Sequence, residues 1–329
     1  MSTVPYGKIE GVNKPVSRLF YGTAARPFNN GGDGTGLLDG MLSLGINAID
    51  TARVYRDAEK SVGRWLEKRG CRDKVVLLTK CGHPTPTGEK RVNEKEMRRD
   101  FQISSEMLGT GYFDIYLLHR DDESIPAGQL VEVFNAMHAE GKIGAFGGSN
   151  WTHRRIEEAN EYAWQHHLIP FAVSSPNFGL ADVRCDIWGG GSVSVSGPGQ
   201  REARDWYEKT QMPLISWSSL AGGFFSGRMK YSDREHAEKF LNRYTYQGFA
   251  SPENFERLRR CEELAAEKNA SVSQIALAWL MHQPLNVFAA VATSSLERLQ
   301  ADIDALNLPL TDGECRWLNL EADGRETGK

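Results

Sequence analysis

The spacing of apolar residues along the chain switches repeatedly between two periods. Short runs rich in Val, Ile, Leu and Phe predict strands over Val16–Tyr21, Asn47–Ile49, Lys74–Thr79, Phe113–Leu118, Lys142–Gly147, Pro170–Ser174, Pro213–Ser218 and Val287–Ala292. Between them apolar residues recur every three or four positions. This predicts helices over Gly36–Leu44, Ala58–Lys68, Asn93–Leu108, Ala127–Glu140, Thr152–His166, Gln200–Lys209, Pro252–Lys268, Val272–His282 and Leu296–Leu306. Eight strands alternating with helices imply a parallel sheet. Closed on itself, such a set is a (β/α)8 TIM barrel, an α/β fold of ~250 residues plus insertions. The chain then forms one domain over residues 1–329. The rival, an open doubly wound sheet, needs a G-x-G-x-x-G turn after its first strand. Phe20-Tyr21-Gly22-Thr23-Ala24-Ala25 lacks that spacing. Before the first strand, Tyr6 to Lys14 predicts a small hairpin turning at Gly11-Val12-Asn13. Two irregular stretches, Asp186–Gln200 and Gly227–Ser251, each follow a strand, which marks them as lid or binding loops on one face of the barrel.

Chemistry in a barrel sits at the C-terminal ends of its strands. The second strand ends at Asp50, with Tyr55 five residues on; the third ends at Lys80, the fourth at His119 and the fifth at Ser149-Asn150. Each side chain alone has an ordinary structural reading: an N-cap acid, a snorkelling lysine, a rim histidine, a packed tyrosine. Together they place a carboxylate, a phenol, an ammonium and an imidazole at one rim. Hydride reduction of a carbonyl leaves an alkoxide that needs a proton. A phenol titrates near ~10, too high for an easy donor, and a nearby ammonium lowers that value. Asp50 can hold Lys80, and His119 can hydrogen-bond the carbonyl oxygen, so all four act on one developing charge.

At these residues the chain resembles the aldo-keto reductase superfamily. Gly45-Ile46-Asn47-Ala48-Ile49-Asp50-Thr51-Ala52-Arg53-Val54-Tyr55 is similar to the family's G-[IV]-[NR]-x-[IF]-D-[ST]-A-x-x-Y segment. Tyr112 to His119, Gly141-Lys142-Ile143-Gly144 through Gly148-Ser149-Asn150, and Ala276-Leu277-Ala278-Trp279-Leu280 resemble three further family motifs. The likeness runs from about Val16 to Leu306. It implies NADP(H)-dependent reduction of an aldehyde or ketone, or the reverse oxidation, with Tyr55 as proton donor. It also implies an extended NADPH across the strand ends. Ser149, Asn150 and Ser174 match positions that bind the nicotinamide carboxamide, and Trp217 matches the aromatic that stacks on the nicotinamide. Ser218, Ser219, Leu220, Gly222 and Gly223 match the pyrophosphate loop. Thr293, Ser294 and Arg298 match the adenosine 2′-phosphate site, and Asp302 stands at the adenine-contacting position. Three departures bear on this site. Ser174 replaces a Gln, Ala292 stands where some members have a Lys, and Asp302 replaces an Asn. The 2′-phosphate then rests mainly on Arg298 and hydroxyls, which weakens the preference for NADPH over NADH without removing it and leaves NAD admissible. Other barrels of the superfamily are nucleotide-binding regulatory subunits, which is the alternative reading.

Loop residues around the four rim groups give the expected substrate wall: Ala25, Arg53, Arg120, Trp151, Phe178 and Trp188. Arg53, Arg120, Asp121 and Asp122 favour a polar, sugar-like carbonyl or alcohol. His119-Arg120-Asp121 has the look of a kinase loop, but no D-F-G follows it. Composition changes little: 40% hydrophobic and 25% charged residues are an ordinary globular mix. A net charge of −4 offers no nucleic-acid footprint. No run has membrane-span length, and the N-terminus lacks signal-peptide order. Five scattered cysteines form no CxxC pair or His cluster, so a reduced cytoplasmic protein without metal is expected. Oligomeric state is left open.

Overall fold

The computed structural model describes residues 2–325. Eight parallel strands close into a barrel: β3 (Leu19–Gly22), β4 (Ala48–Asp50), β5 (Val76–Cys81), β6 (Phe113–Leu118), β7 (Ile143–Ser149), β8 (Val173–Ser175), β9 (Leu214–Ser216) and β10 (Val287–Val291), which returns to pair with β3. The expected TIM barrel is the observed one. An N-terminal hairpin forms with wider bounds than the expected Tyr6 to Lys14: β1 (Tyr6–Gly7) pairs antiparallel with β2 (Val16–Ser17), so Val16 and Ser17 belong to it and the first barrel strand starts at Leu19 rather than Val16. Its turn is closed by Val12 N–H donating to the Ile9 carbonyl at 3.1 Å, with Gly11 at φ +83°. A residue with a Cβ strains at that φ, so glycine suits the turn. Ile9, Val12 and Val16 pack in one buried cluster with Phe20, Val76, Ile115 and Phe288, so the hairpin plugs the N-terminal mouth of the barrel.

Strand side chains alternate in and out. That same interior cluster contains Ala48, Val76, Leu78, Ile115, Leu117, Ala145, Val173 and Ile215. Two residues beyond the last of these on each strand lie Asp50, Lys80, His119, Ser175 and Trp217, and Ser149 is four beyond Ala145. The polar rim is thus the top layer of an apolar barrel, set by period-two alternation. Between Ala145 and Ser149 the inward position is Gly147, where a Cβ would lie 1.8 Å from the Val173 carbonyl oxygen. Only glycine allows β7 and β8 to approach that closely.

Helices ring the barrel: α1 (Thr35–Ser43), α2 (Ala58–Arg69), α3 (Glu94–Leu108), α4 (Ala127–Ala139), α5 (His153–Gln165), α6 (Arg201–Thr210), α7 (Arg243–Phe249), α8 (Pro252–Lys268), α9 (Val272–Met281), α10 (Leu296–Ala305) and α11 (Asp312–Leu318). Side-chain oxygens cap the starts of seven of them, as where Asn93 accepts from Glu96 N–H at 3.0 Å and Ser251 from Asn254 N–H at 3.1 Å. Three differences from expectation stand out. The sixth barrel strand starts at Val173 rather than Pro170, a residue with no N–H to give the ladder. The stretch 227–251 carries a 3-10 segment over Tyr231–Lys239 and a short α-helix, α7. The chain also adds α11, announced by a capping box: Thr311 Oγ accepts from Glu314 N–H at 3.1 Å and the Glu314 carboxylate from Thr311 N–H at 2.8 Å. Among the described residues no helix is long and apolar enough to cross a membrane.

Candidate active site

The turn after β4 carries Tyr55 and is stitched to β5. Thr51 N–H donates to Leu78 O at 2.9 Å and Arg53 N–H to Lys80 O at 3.1 Å; within the turn Tyr55 N–H donates to Ala52 O at 2.9 Å. These bonds hold the phenol beside Lys80, whose Nζ lies 5.2 Å from the Tyr55 ring centroid. Lys80 forms a buried ion pair with Asp50 and donates to Thr51 O at 3.1 Å. The His119 ring stands at 83° to that of Tyr55, centroids 5.6 Å apart. The four rim groups foreseen from the sequence are therefore assembled.

Their charge states follow from burial. For Lys80, burial is the largest effect and opposes the charge, but Asp50 and Tyr55 outweigh it and hold its pKa above the usual value. Lys80 stays an ammonium. For Tyr55, burial is again largest and raises the pKa; Lys80 pulls it down without winning. The expected lowering by the ammonium is present but overruled. Tyr55 thus carries its proton at neutral pH. His119 is pushed well below the usual imidazole value, first by burial and then by Lys80, Arg120 and His83. It is neutral. Its Nδ1 is buried without a partner, so an N–H there would have no acceptor and the ring proton belongs on Nε2.

Three nearby residues escaped the sequence reading. His83, three past Lys80, sets its ring 4.9 Å from that of His119. Glu59 is fully buried behind β5, where it accepts from Thr79 Oγ1 at 2.6 Å while Arg53 stands 3.7 Å away. Burial raises its pKa. Ser175 is the third, and it corrects an expectation. Ser174 faces outward: its hydroxyl shares a 2.7 Å hydrogen bond with Tyr207 of α6 and cannot reach the rim. Ser175, in register with Ser149, is the inward residue of β8. Parity would have found it, because Val173 points in.

The other cofactor positions divide in two groups. Some are committed to the chain itself. Ser149 Oγ donates to Ser175 O at 2.9 Å. Asn150, at φ +60°, donates to His119 O and Ser149 Oγ at 3.1 Å each and accepts from Val193 N–H at 3.2 Å. Ser219 is buried, its hydroxyl bound to Ser216 Oγ at 2.8 Å and Ala290 O at 3.2 Å. Thr293 Oγ1 accepts from Ser295 N–H at 3.2 Å. Others are open. Trp217 is half-buried at the rim, with part of its ring open and its indole N–H sealed without an acceptor. Ser218, Gly222 and Gly223 have φ of +53°, +61° and +97°, and with half-buried Leu220 they make a tight turn. Left-handed turns of this kind expose N–H groups suited to phosphate. Ser294 and Arg298 are exposed at the start of α10, a favourable place for an anion. Asp302 is buried and, among the described residues, has neither hydrogen bond nor ion pair. The half-open indole of Trp217, the left-handed turn and the cationic helix start fit a dinucleotide lying from Trp217 to α10.

The expected substrate wall needs revision. Trp151 and Phe178 are fully buried, Trp151 against Arg155 and Phe178 against Trp279, so neither lines a pocket. Asp121 pairs with Arg155 at 3.1 Å and Asp122 with Lys90 at 2.8 Å, which removes both acids from the rim. Exposed Trp188 remains. It stacks on Tyr244 at 5.8 Å and meets Trp217 edge-on at 6.5 Å, so the two irregular stretches join beside Trp217. Surface depressions of 510 and 450 Å³ lie elsewhere, lined by residues such as Lys14, Arg72 and Met107, and neither includes a rim group. Among the described residues no cluster of three metal-ligating side chains occurs.

The model of the family described as "Aldo/keto reductase family" matches residues 19–319. The chain is 28% identical to norsolorinic acid reductase A of Aspergillus parasiticus, covering 92% of this chain and 77% of that protein. It is 27% identical to an aryl-alcohol dehydrogenase [NADP(+)] of Phanerodontia chrysosporium, over 86% of this chain and 74% of the other. A putative voltage-gated potassium channel subunit beta of Schizosaccharomyces pombe is 26% identical, over 80% and 76%.

Proposed function

The chain belongs to the aldo/keto reductase family, and from this we propose that it is an NADP(H)-dependent oxidoreductase that interconverts an aldehyde or ketone with its alcohol. The observation that carries the reading is Tyr55, protonated, held over the buried Lys80–Asp50 pair with a neutral His119 at its edge. When bound, the nicotinamide cofactor supplies the hydride to the carbonyl carbon. His119 Nε2–H orients the carbonyl oxygen as a hydrogen-bond donor. As negative charge builds on that oxygen, Tyr55 gives up its proton to it. The phenolate left behind is stabilised by Lys80, which Asp50 keeps in place and charged. Solvent then returns a proton to Tyr55. In the oxidative direction the same groups run backwards.

The cofactor is held, in this reading, by Trp217 at the nicotinamide, the turn from Ser218 to Gly223 at the pyrophosphate, and Ser294 with Arg298 at the 2′-phosphate. Ser149, Asn150 and Ser175 shape the carboxamide end. The relative named as an NADP(+)-dependent aryl-alcohol dehydrogenase supports the choice of NADP. The chain acts as one barrel unit, and its free cysteines suit the reducing cytoplasm. The test mixes the purified protein with NADPH or NADH and a panel of aryl and alkyl aldehydes and ketones, following loss of the reduced-nicotinamide absorbance. Turnover with a higher kcat/KM for NADPH is expected. Tight NADPH binding with no turnover across the panel would favour the regulatory-subunit reading instead.

A further inference from the structure

Arg120 follows His119 at the top of β6 and is only 7% exposed. Its side chain runs beneath the glycine turn of the Trp188 loop, with Cδ 3.6 Å from where a Cβ would stand on Gly191. Its hydrogen bond goes from Nη1 to the His119 carbonyl at 3.0 Å. A guanidinium has five N–H donors, and among the described residues no side chain forms an ion pair with this one. Its remaining nitrogens are not sealed from solvent, and its charge is felt at Tyr55.

The acids that might neutralise it are engaged elsewhere. Asp50 belongs to Lys80, Asp121 to Arg155 and Asp122 to Lys90. Asp186 is felt through space, but its carboxylate closes its own loop by accepting from Trp188 and Ser192 N–H at 2.8 Å each. Arg53, after β4, already has an acid of its own, Glu59 at 3.7 Å. A buried charge without a partner is costly and is retained where a ligand completes it. Arg120 touches the same histidine that faces Tyr55. We propose that Arg120 is a specificity-determining anchor for an oxyanion on the substrate, and that the substrates of this enzyme are carbonyl compounds bearing a carboxylate or a phosphate. A planar fork suits either group. This inference rests on the proposed reductase function, and it deepens that reading.

The experiment compares matched pairs at saturating NADPH: succinic semialdehyde against its methyl ester, and glyceraldehyde 3-phosphate against glyceraldehyde. The wild type is expected to prefer the anionic member of at least one pair by ~10-fold or more in kcat/KM. The pair that shows the preference identifies carboxylate or phosphate. In Arg120→Gln that ratio should collapse towards one, chiefly through KM, whatever the absolute rates. Arg120→Lys keeps the charge and should hold an intermediate ratio, a pattern that misfolding would not give. Equal kcat/KM within both pairs for the wild type, or an unchanged ratio in Arg120→Gln, overturns the anchor while leaving the reductase reading intact. If no carbonyl is reduced, the reductase reading fails and the anchor is judged by binding of succinate and of inorganic phosphate, read from tryptophan fluorescence. An affinity at least ~10-fold weaker in Arg120→Gln supports it, and equal affinities overturn it.

Discussion

Replacing Asp302 by Asn should change how the stability of the protein depends on pH. Asp302 lies on α10, 8% exposed, without hydrogen bond or ion pair among the described residues. Burial alone pushes its carboxyl from the usual 3.8 to about 7. Below about pH 4 the folded and unfolded chains both hold this proton, and the group has no effect. Between about 4 and 7 the unfolded chain has lost it and the folded chain has not. The folded state then binds more protons, so stability falls as pH rises. Above about 7 the penalty is complete. At about 1.4 kcal/mol per pH unit, the window corresponds to ~4 kcal/mol. That is an upper figure, because residual exposure lets water reach the carboxylate. An asparagine does not titrate but still buries an amide, which costs ~1–3 kcal/mol. Asp302→Asn should therefore be more stable than the wild type by ~1–3 kcal/mol at pH 8, with the gap closing towards pH 5. Urea denaturation followed by tryptophan fluorescence between pH 5 and 8 measures this. Parallel stability profiles for the two proteins would refute the reasoning. If the adenine of NADPH contacts this residue, the protonated acid offers one donor and one acceptor, as an amide does. NADPH should then bind the wild type more tightly below pH 7, and Asp302→Asn should bind it without that dependence.

Two further outcomes follow from the same geometry. Lys80→Met leaves Asp50 buried without its partner, so it should cost ~3–5 kcal/mol in denaturant unfolding and lower kcat by ~100-fold or more. Ser174→Ala should leave the buried Tyr207 hydroxyl without its partner, ~1–3 kcal/mol of stability, with NADPH affinity by fluorescence titration unchanged.

The barrel was legible because each unit repeats one switch of period. The strand Phe113–Leu118 and the helix Pro252–Lys268 have the bounds that their apolar spacing predicts. The rim tetrad was legible for a related reason: a polar residue ending an apolar strand has nowhere to go but the mouth. Ser174 lies one residue off the inward parity that Val173 sets, so a slip of one residue along this short strand exchanges an outward serine for the inward Ser175. Trp151 and Phe178 were misread because loop position says nothing about which way a large aromatic folds back into the core. The pairing of Asp121 with Arg155 and of Asp122 with Lys90 links residues about thirty apart, beyond any local pattern. The raised pKa of Tyr55 was hidden for the same reason. The sequence announces the ammonium, but only the fold sets how much burial opposes it.

The central claim is that Tyr55 delivers the proton in carbonyl reduction. Tyr55→Phe keeps the ring and removes only the hydroxyl. Its kcat for NADPH-dependent reduction of the best aldehyde, measured beside NADPH affinity by tryptophan fluorescence, tests the claim most directly. A fall of at least ~100-fold in kcat with NADPH affinity retained is the expected result. A kcat within a few-fold of the wild type would contradict it.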